Sequence, residues 1–304
     1  MIRLMITLAS SVFLFLPAFS QFTYDHLVVD YEGAITYRNL KLVPVRANYT
    51  FFNGGRNNQT PQNQPDLRGQ QIPPDQQGLQ NPQGQLGQPG FNDPNNLLSL
   101  QDALESGQLI IRDRAGVNQL IIENLSNRPV ILMSGEILRG GKQDRVIGQD
   151  MVIPPNSKRN RVPVFCVEEK RWSMSPKSWT YYHQGSMHLR RVVDQSQNQR
   201  QVWEEIDYEL KRDNIYSSSK AYTAHSKNRQ YAALERDYLD AFSINNFEYP
   251  SNIIGIIGIS GSVVIGCDLF ATKELFQREY ESIIFSYIDE TIGDGFVDVT
   301  ENDA

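Results

Sequence analysis

The 304-residue sequence is poor in the side chains that usually carry chemistry, with two cysteines and four histidines. So few cysteines exclude a disulfide scaffold. Cys166 and Cys267 both sit in apolar, strand-like runs, where they can form one bridge in an oxidising compartment or stay two separate buried thiols. His183 and His188 lie five positions apart with no third ligand near them in sequence, so no metal site is expected. A G-x-S-x-G nucleophile elbow, a P-loop and a G-x-G-x-x-G between strand and helix are all missing, and no cofactor is expected. Positive charge is in deficit as well: 29 Lys and Arg face 35 Asp and Glu, a formal charge of −6. Neutralising phosphates needs a basic surface, so nucleic acid is excluded as the main partner.

At the N-terminus, MIRLMITLASSVFLFLPAFS places Arg3 before an apolar stretch and small residues, Ala18 and Ser20, at the −3 and −1 positions of a cut before Gln21. This is the pattern of a cleavable secretory signal peptide over residues 1–20. The stretch is shorter than the ~20 apolar residues of a membrane span and is interrupted by Pro17, so no stable membrane insertion is expected after cleavage. No cysteine follows that would carry a lipid. Losing Arg3 takes the charge from −6 to −7. The expected location is extracytoplasmic, either periplasmic or secreted.

Residues 53–96 are a different material, with 33 of 44 positions Asn, Gln, Gly or Pro. Such a segment cannot bury enough surface to offset roughly 1–2 kcal/mol per residue of backbone entropy. It reads as a disordered insertion, between a first strand region at 21–52 and a main domain at 97–290. An acidic tail, 291–304, closes the chain.

Ala34–Thr50 alternates like two short strands or one bent one, with Pro44 at an edge or bulge. Ser99 opens a short helix that Gly107 closes. QLIIRD, NQLIIEN and PVILM follow as three short strands of an antiparallel meander. The period then changes. Val202, Ile206 and Leu210, and later Leu234, Tyr238 and Phe242, recur every four residues in amphipathic helices. Next, IIGIIGISGSVVIGCDLF reads as a glycine-rich hairpin turning at Ser260-Gly261. Thr272 caps a final helix with Leu275, Phe276, Tyr280, Ile283, Ile284 and Tyr287 on its apolar side. The fold class is α+β: antiparallel sheets of short strands with C-terminal amphipathic helices.

The chemically richest stretch is SGEILRGGKQDR at 134–145, followed by VFCVEEKRW at 164–172. With Gly140 and Gly141 as a two-residue turn, Glu136 faces Arg145 across the hairpin, and Glu136, Gln143 and Arg145 share one sheet face. Lys142 sits at the tip. Glu168, Arg171 and Trp172 lie where the second strand ends. One reading is a plain exposed salt bridge worth ~0.2–1 kcal/mol. The other is a polar site in which Lys142, Arg145 and Arg171 hold an anionic group and Gln143 supplies a hydrogen bond, with Trp172 beside them. Glu136 or Glu168 then serves to orient, or as a general base. Cys166 reads as a packed core thiol, because no histidine is near it in sequence to act as a base.

The block MSGEILRGGKQDRVIGQDMVIPPNSKRNRVPVFCVEEKRW resembles the signature of a bacterial family, the ARG and rhodanese-phosphatase-superfamily-associated protein domain. The similarity takes in SLQDALESGQLIIRD and the closing hairpin and helix, and so runs from about Asp30 to Asp289. The matching residues are Ser134, Gly135, Glu136, Gly140, Gly141, Lys142, Gln143, Arg145, Pro154, Cys166, Glu168, Arg171 and Trp172. The family's name records an association with other proteins, and the resemblance implies no defined reaction. The signal peptide and the Asn/Gln-rich tract depart from the family pattern. The leading expectation is an exported domain that binds a small anionic ligand. A hydrolase using Glu136 or Glu168, and a scaffold whose polar block only fixes the fold, are the alternatives.

Deleting residues 53–96 should leave the melting temperature unchanged or slightly raised, because closure cost grows only by about 0.6 kcal/mol per doubling of loop length. A large fall in melting temperature on deletion would mean that the tract packs against the domain.

Overall fold

A computed structural model describes residues 27–47, 96–113, 118–173 and 175–294. The signal segment, residues 53–95 of the Asn/Gln-rich tract and the tail beyond residue 294 lie outside the described residues. The fold is α+β with antiparallel sheets, as the patterning indicates. Strands β1 (Leu27–Val29), β2 (Ile35–Tyr37) and β3 (Leu40–Ala47) open the chain, followed by helix α1 (Leu100–Glu105). Next come β4 (Leu109–Arg112), β5 (Gln119–Asn124), β6 (Val130–Leu132), β7 (Glu136–Gly141) and β8 (Arg145–Ile147). Strands β9 (Met151–Ile153), β10 (Ser157–Cys166) and β11 (Lys177–Gln184) precede helices α2 (Met187–Ser196) and α3 (Gln199–Arg212). A 3-10 turn (Tyr222–Lys227), α4 (Arg229–Ala241), β12 (Ile253–Ser260), β13 (Val263–Leu269) and α5 (Lys273–Gly293) complete the order.

A five-stranded sheet runs β1-β3-β12-β13, with β2 also on β3. Pro44 was expected at an edge or bulge, and β3 is not an edge strand, being paired on both sides. The position still suits proline. β2 covers Leu40–Leu42 and β1 covers Val45–Ala47, so Pro44 falls where the neighbour changes. Its carbonyl accepts from Asp30 N–H on that side, where the N–H it lacks would also point.

The six-stranded sheet runs β11-β7-β8-β10-β5-β4. Only the first two strands of the expected meander pair with each other; β6 leaves and pairs with β9. The cause is Asn124, whose buried amide donates to the carbonyls of Arg128 (2.8 Å) and Pro154 (3.0 Å) and accepts from Ser126. That network turns the chain out of the sheet before Val130.

Alternation along the strands divides the apolar residues between three cores. Leu120, Leu138, Ile147 and Val164 face α1 and the β6–β9 pair. Ile137, Val146 and Phe165, on the opposite face, pack under α2 and α3 through Leu189, Val202 and Ile206. Leu40, Leu42 and Ile256 meet Tyr238 of α4 and Phe276 and Tyr287 of α5. Ser99, Asn228 and Thr272 cap their helices through side-chain oxygens. Among the described residues, no helix is long and apolar enough to cross a membrane.

The β12–β13 turn is Gly261-Ser262, one residue beyond the expected pair, since Ser260 faces Val263. Within β12, Gly258 lets α5 approach, and a Cβ built there would fall 2.1 Å from the Tyr287 ring. Gly258→Ala should therefore destabilise the protein by about 1–3 kcal/mol, the usual cost of overpacking, measured by urea unfolding. Stability equal to the parent would show that Tyr287 yields freely.

Candidate functional site

The 134–145 hairpin forms, in a register shifted from the one expected. Ile137 faces Val146, and Leu138 faces Arg145. The sum of paired numbers moves by two, so alternation still gives Glu136 and Arg145 the same sheet face, but Glu136 no longer stands opposite Arg145. Gly140 (φ +128°) and Gly141 (φ +50°) end β7, and Lys142 follows them at the bend. Their lack of a side chain answers a second demand from the neighbouring strand. A Cβ on Gly140 would meet the Ser178 carbonyl oxygen at 2.4 Å, and one on Gly141 the Trp179 ring at 2.3 Å. The pair lets β11 lie alongside β7 at close range.

Glu136 leaves the expected group. Its carboxyl accepts from Met133 N–H (2.7 Å) and from the Tyr181 hydroxyl (3.0 Å), with 1% of the residue exposed. Burial, reinforced by the charge of Glu279, raises its pKa well above the ordinary carboxylate range. So deeply buried and already bonded to Met133 and Tyr181, it is poorly placed to act as a general base on a substrate.

The other expected residues do converge. Arg171 donates through Nε to Glu168, and through Nη2 to Asp144 (2.8 Å) and the Gly140 carbonyl (3.4 Å). Gln143 donates to the Glu168 carbonyl (2.8 Å) and accepts from Arg145 Nη1 (3.1 Å). Arg145 is wholly buried, its Nη1 2.7 Å from Cys166 Sγ and its Nη2 3.7 Å from Asp113. Lys142 Nζ lies 5.0 Å from the ring centre of Trp172, which is 49% exposed. Hairpin tip and strand end thus form one corner, with Gln143 and Arg145 inside it and Lys142 and Trp172 at its rim.

Two members of this corner were not singled out from the sequence. Asp144 takes Arg171 and the Gly140 N–H on one oxygen and the Thr223 hydroxyl (3.0 Å) on the other. Asp113 takes Lys142 N–H (3.1 Å) and pairs with Arg145. Asp144 sits between two residues that were argued for, and its position after a Gly-Gly bend was the available signal. Asp113 offered none, because its partners are about 30 residues away in sequence.

Cys166 and Cys267 are not bonded to each other. Cys166 is buried, and burial pushes its thiol up despite the adjacent arginine, which suits a packed thiol rather than a nucleophile.

His183 was set aside as lacking ligand partners nearby in sequence. In the fold it lies beside Glu235 of α4 and Asp289 of α5, with one ligand-type atom of each within 4.8 Å of the others. Residues 183, 235 and 289 come from three elements, so no spacing rule could have joined them.

A family model described as the ARG and Rhodanese-Phosphatase-superfamily-associated Protein domain matches residues 86–304. No curated protein and no solved structure matches the chain.

The corner separates into a lock and a rim, which should differ in stability measurements. Asp144→Ala removes partners from Arg171, Gly140 and Thr223 and should cost about 2–3 kcal/mol, the scale of a lost hydrogen bond to a charged group. Lys142→Ala should stay within about 0.5 kcal/mol, as for an ordinary surface substitution. Denaturant midpoints of the two variants compare them directly. Equal losses would dissolve the distinction.

Proposed function

The chain belongs to the ARG and Rhodanese-Phosphatase-superfamily-associated Protein domain family, and from that premise we propose an exported protein that binds a small anionic ligand at the rim of the hairpin corner. The observation that supports this reading is the position of Lys142. Among the described residues it has no ion-pair partner, and it stands over a half-exposed Trp172. Cations have no numerical surplus in the corner: Glu136 is elsewhere, Asp113 and Asp144 belong to it, and Lys142, Arg145 and Arg171 face the three carboxylates of Asp113, Asp144 and Glu168. Exposure then decides the preference. The side chains of Asp113, Asp144 and Glu168 are 9%, 10% and 8% exposed, whereas Arg171 is 23% exposed.

An arriving anion therefore meets the Lys142 ammonium and the outer edge of the Arg171 guanidinium before any carboxylate. The Trp172 indole offers a flat apolar face to a ring carried by the same ligand. Arg145 and Gln143 act from inside by holding the bend in place. A hydrolytic role is less well supported, since Glu168 is held by Arg171 and Glu136 is buried among other acids. Export rests on the signal-type N-terminus.

Aromatic phosphates and carboxylates, screened by thermal shift and followed by calorimetry, test the proposal. Lys142→Ala and Trp172→Ala should each keep the parent melting temperature. Lys142→Ala should weaken binding of any hit by about 1.5–3 kcal/mol, the value of a charge-assisted hydrogen bond. If no anionic compound shifts the melt, the scaffold reading takes its place.

A further inference from the structure

The geometry points to a binding site for one first-row divalent metal ion, built from His183 on β11, Glu235 on α4 and Asp289 on α5. The three residues are 3%, 8% and 3% exposed, and their ligand-type atoms lie within 4.8 Å of one another. The imidazole is prepared for the task. Nδ1 faces the Gln184 carbonyl, which can only accept, so Nδ1 carries the proton and Nε2 keeps its lone pair. Nε2 is buried and has no hydrogen-bond partner. The ring is clamped by stacking on Phe285 (centroids 4.1 Å, planes 7° apart) and by contact with Tyr182 (3.7 Å).

The carboxylates repeat the pattern. Glu235 Oε1 is also buried without a partner. Asp289 is oriented from behind by the hydroxyls of Tyr222 (2.6 Å) and Tyr231 (2.9 Å), one on each oxygen, and each oxygen has a second lone pair left. Such outer donors are what position a ligating carboxylate. Two acids this close and this deep repel each other strongly, and neither has an ion-pair partner among the described residues. The nearest cations are engaged elsewhere: Arg139 donates to Ser226 (2.6 Å) and lies over the Tyr182 ring, and His225 Nε2 faces Asp213 (2.9 Å).

One nitrogen and two oxygens suit Zn²⁺, Mn²⁺, Fe²⁺ or Co²⁺; Ca²⁺ wants six to eight oxygens. Around such an ion ligand atoms stand ~3–3.5 Å apart, from metal–ligand bonds of ~2.0–2.2 Å, so binding would draw the three side chains in from their present separation of up to 4.8 Å. Burial of all three keeps a substrate away. The work of the ion is to staple β11, α4 and α5 together.

The full chain, stripped with a chelator and desalted, should rebind one Mn²⁺, Zn²⁺ or Co²⁺ per molecule by elemental analysis and melt higher when loaded. His183→Gln and Glu235→Gln should each lower affinity by more than the ~10–100-fold typical of an outer-shell change. Tyr231→Phe keeps all three ligands and should fall within that range. It decides the matter, together with the visible spectrum of the Co²⁺-loaded parent, if a ligand variant fails to fold. Absence of binding by the stripped parent, or binding unchanged by His183→Gln or by Tyr231→Phe, would overturn the proposal. In that case Glu235 and Asp289 share a proton, and Glu235→Gln would be as stable as the parent or more so.

Discussion

Helix α5 must be surrounded, and most of the structure follows from how that is achieved. It packs against β12 and β13 of one sheet and against β11 of the other, so it has little solvent side on which to place polar groups. Yet Glu279, Ser282, Ser286, Asp289, Glu290 and Thr291 are all buried on it. A buried polar group left unpaired costs about 1–3 kcal/mol, so the helix depends on its neighbours for partners. They supply them one element at a time to Ser282, Ser286, Asp289 and Glu290, whereas Glu279 Oε1 and Thr291 Oγ1 have no hydrogen-bond partner among the described residues. Tyr181 of β11 meets Ser282, the Gly185 carbonyl accepts from Ser286, and Tyr222 and Tyr231 bind Asp289. His188 of α2 reaches Glu290, and Asn39 donates to the Thr291 carbonyl. Position along the helix axis is thereby fixed by hydrogen bonds that apolar packing alone would not discriminate.

The same accounting explains the hairpin corner. A guanidinium as deeply buried as that of Arg145 needs charge and hydrogen bonds around it. Gln143 and Cys166 contact its Nη1 and Asp113 supplies charge beside Nη2, while Nε and Nη2 have no hydrogen-bond partner among the described residues. Arg171 ties the bend to the strand end through Asp144 and Glu168. A polar block that looks like a binding motif in sequence is therefore largely internal wiring. Only what remains at its rim is available to a ligand.

Local signals were readable in the sequence because they rest on local physics. The caps at Ser99 and Thr272 depend on one side chain and the adjacent turn, and the four-residue recurrence of Val202, Ile206 and Leu210 needs only a helix with a covered face. The convergence of the 140–145 bend with 168–172 was legible too, because long polar runs at strand ends have few other places to go. Pairing choices were not. The exit of β6 depends on Asn124 reaching Pro154, thirty positions on, and the hairpin register depends on β11 pressing against Gly140 and Gly141. Helix α2 was missed because it buries only Leu189 and Val193, too few positions to set a period. The turn Tyr222–Lys227 has no period at all, and is buried for its polar bonds.

That turn shows why corner and interior cannot be treated as separate bodies. Thr223 holds Asp144 of the corner lock, while Tyr222, its neighbour in sequence, holds Asp289 of the buried triad. Ser226 in the same turn accepts from Arg139 of β7, the strand that ends in the Gly-Gly pair. The backbone joins in, since Tyr222 N–H donates to the Val167 carbonyl at the end of β10. A displacement of the turn by the length of a hydrogen bond would break contacts on both sides at once. Interiors this closely packed do not deform continuously, so the two polar systems keep their geometry together or lose it together.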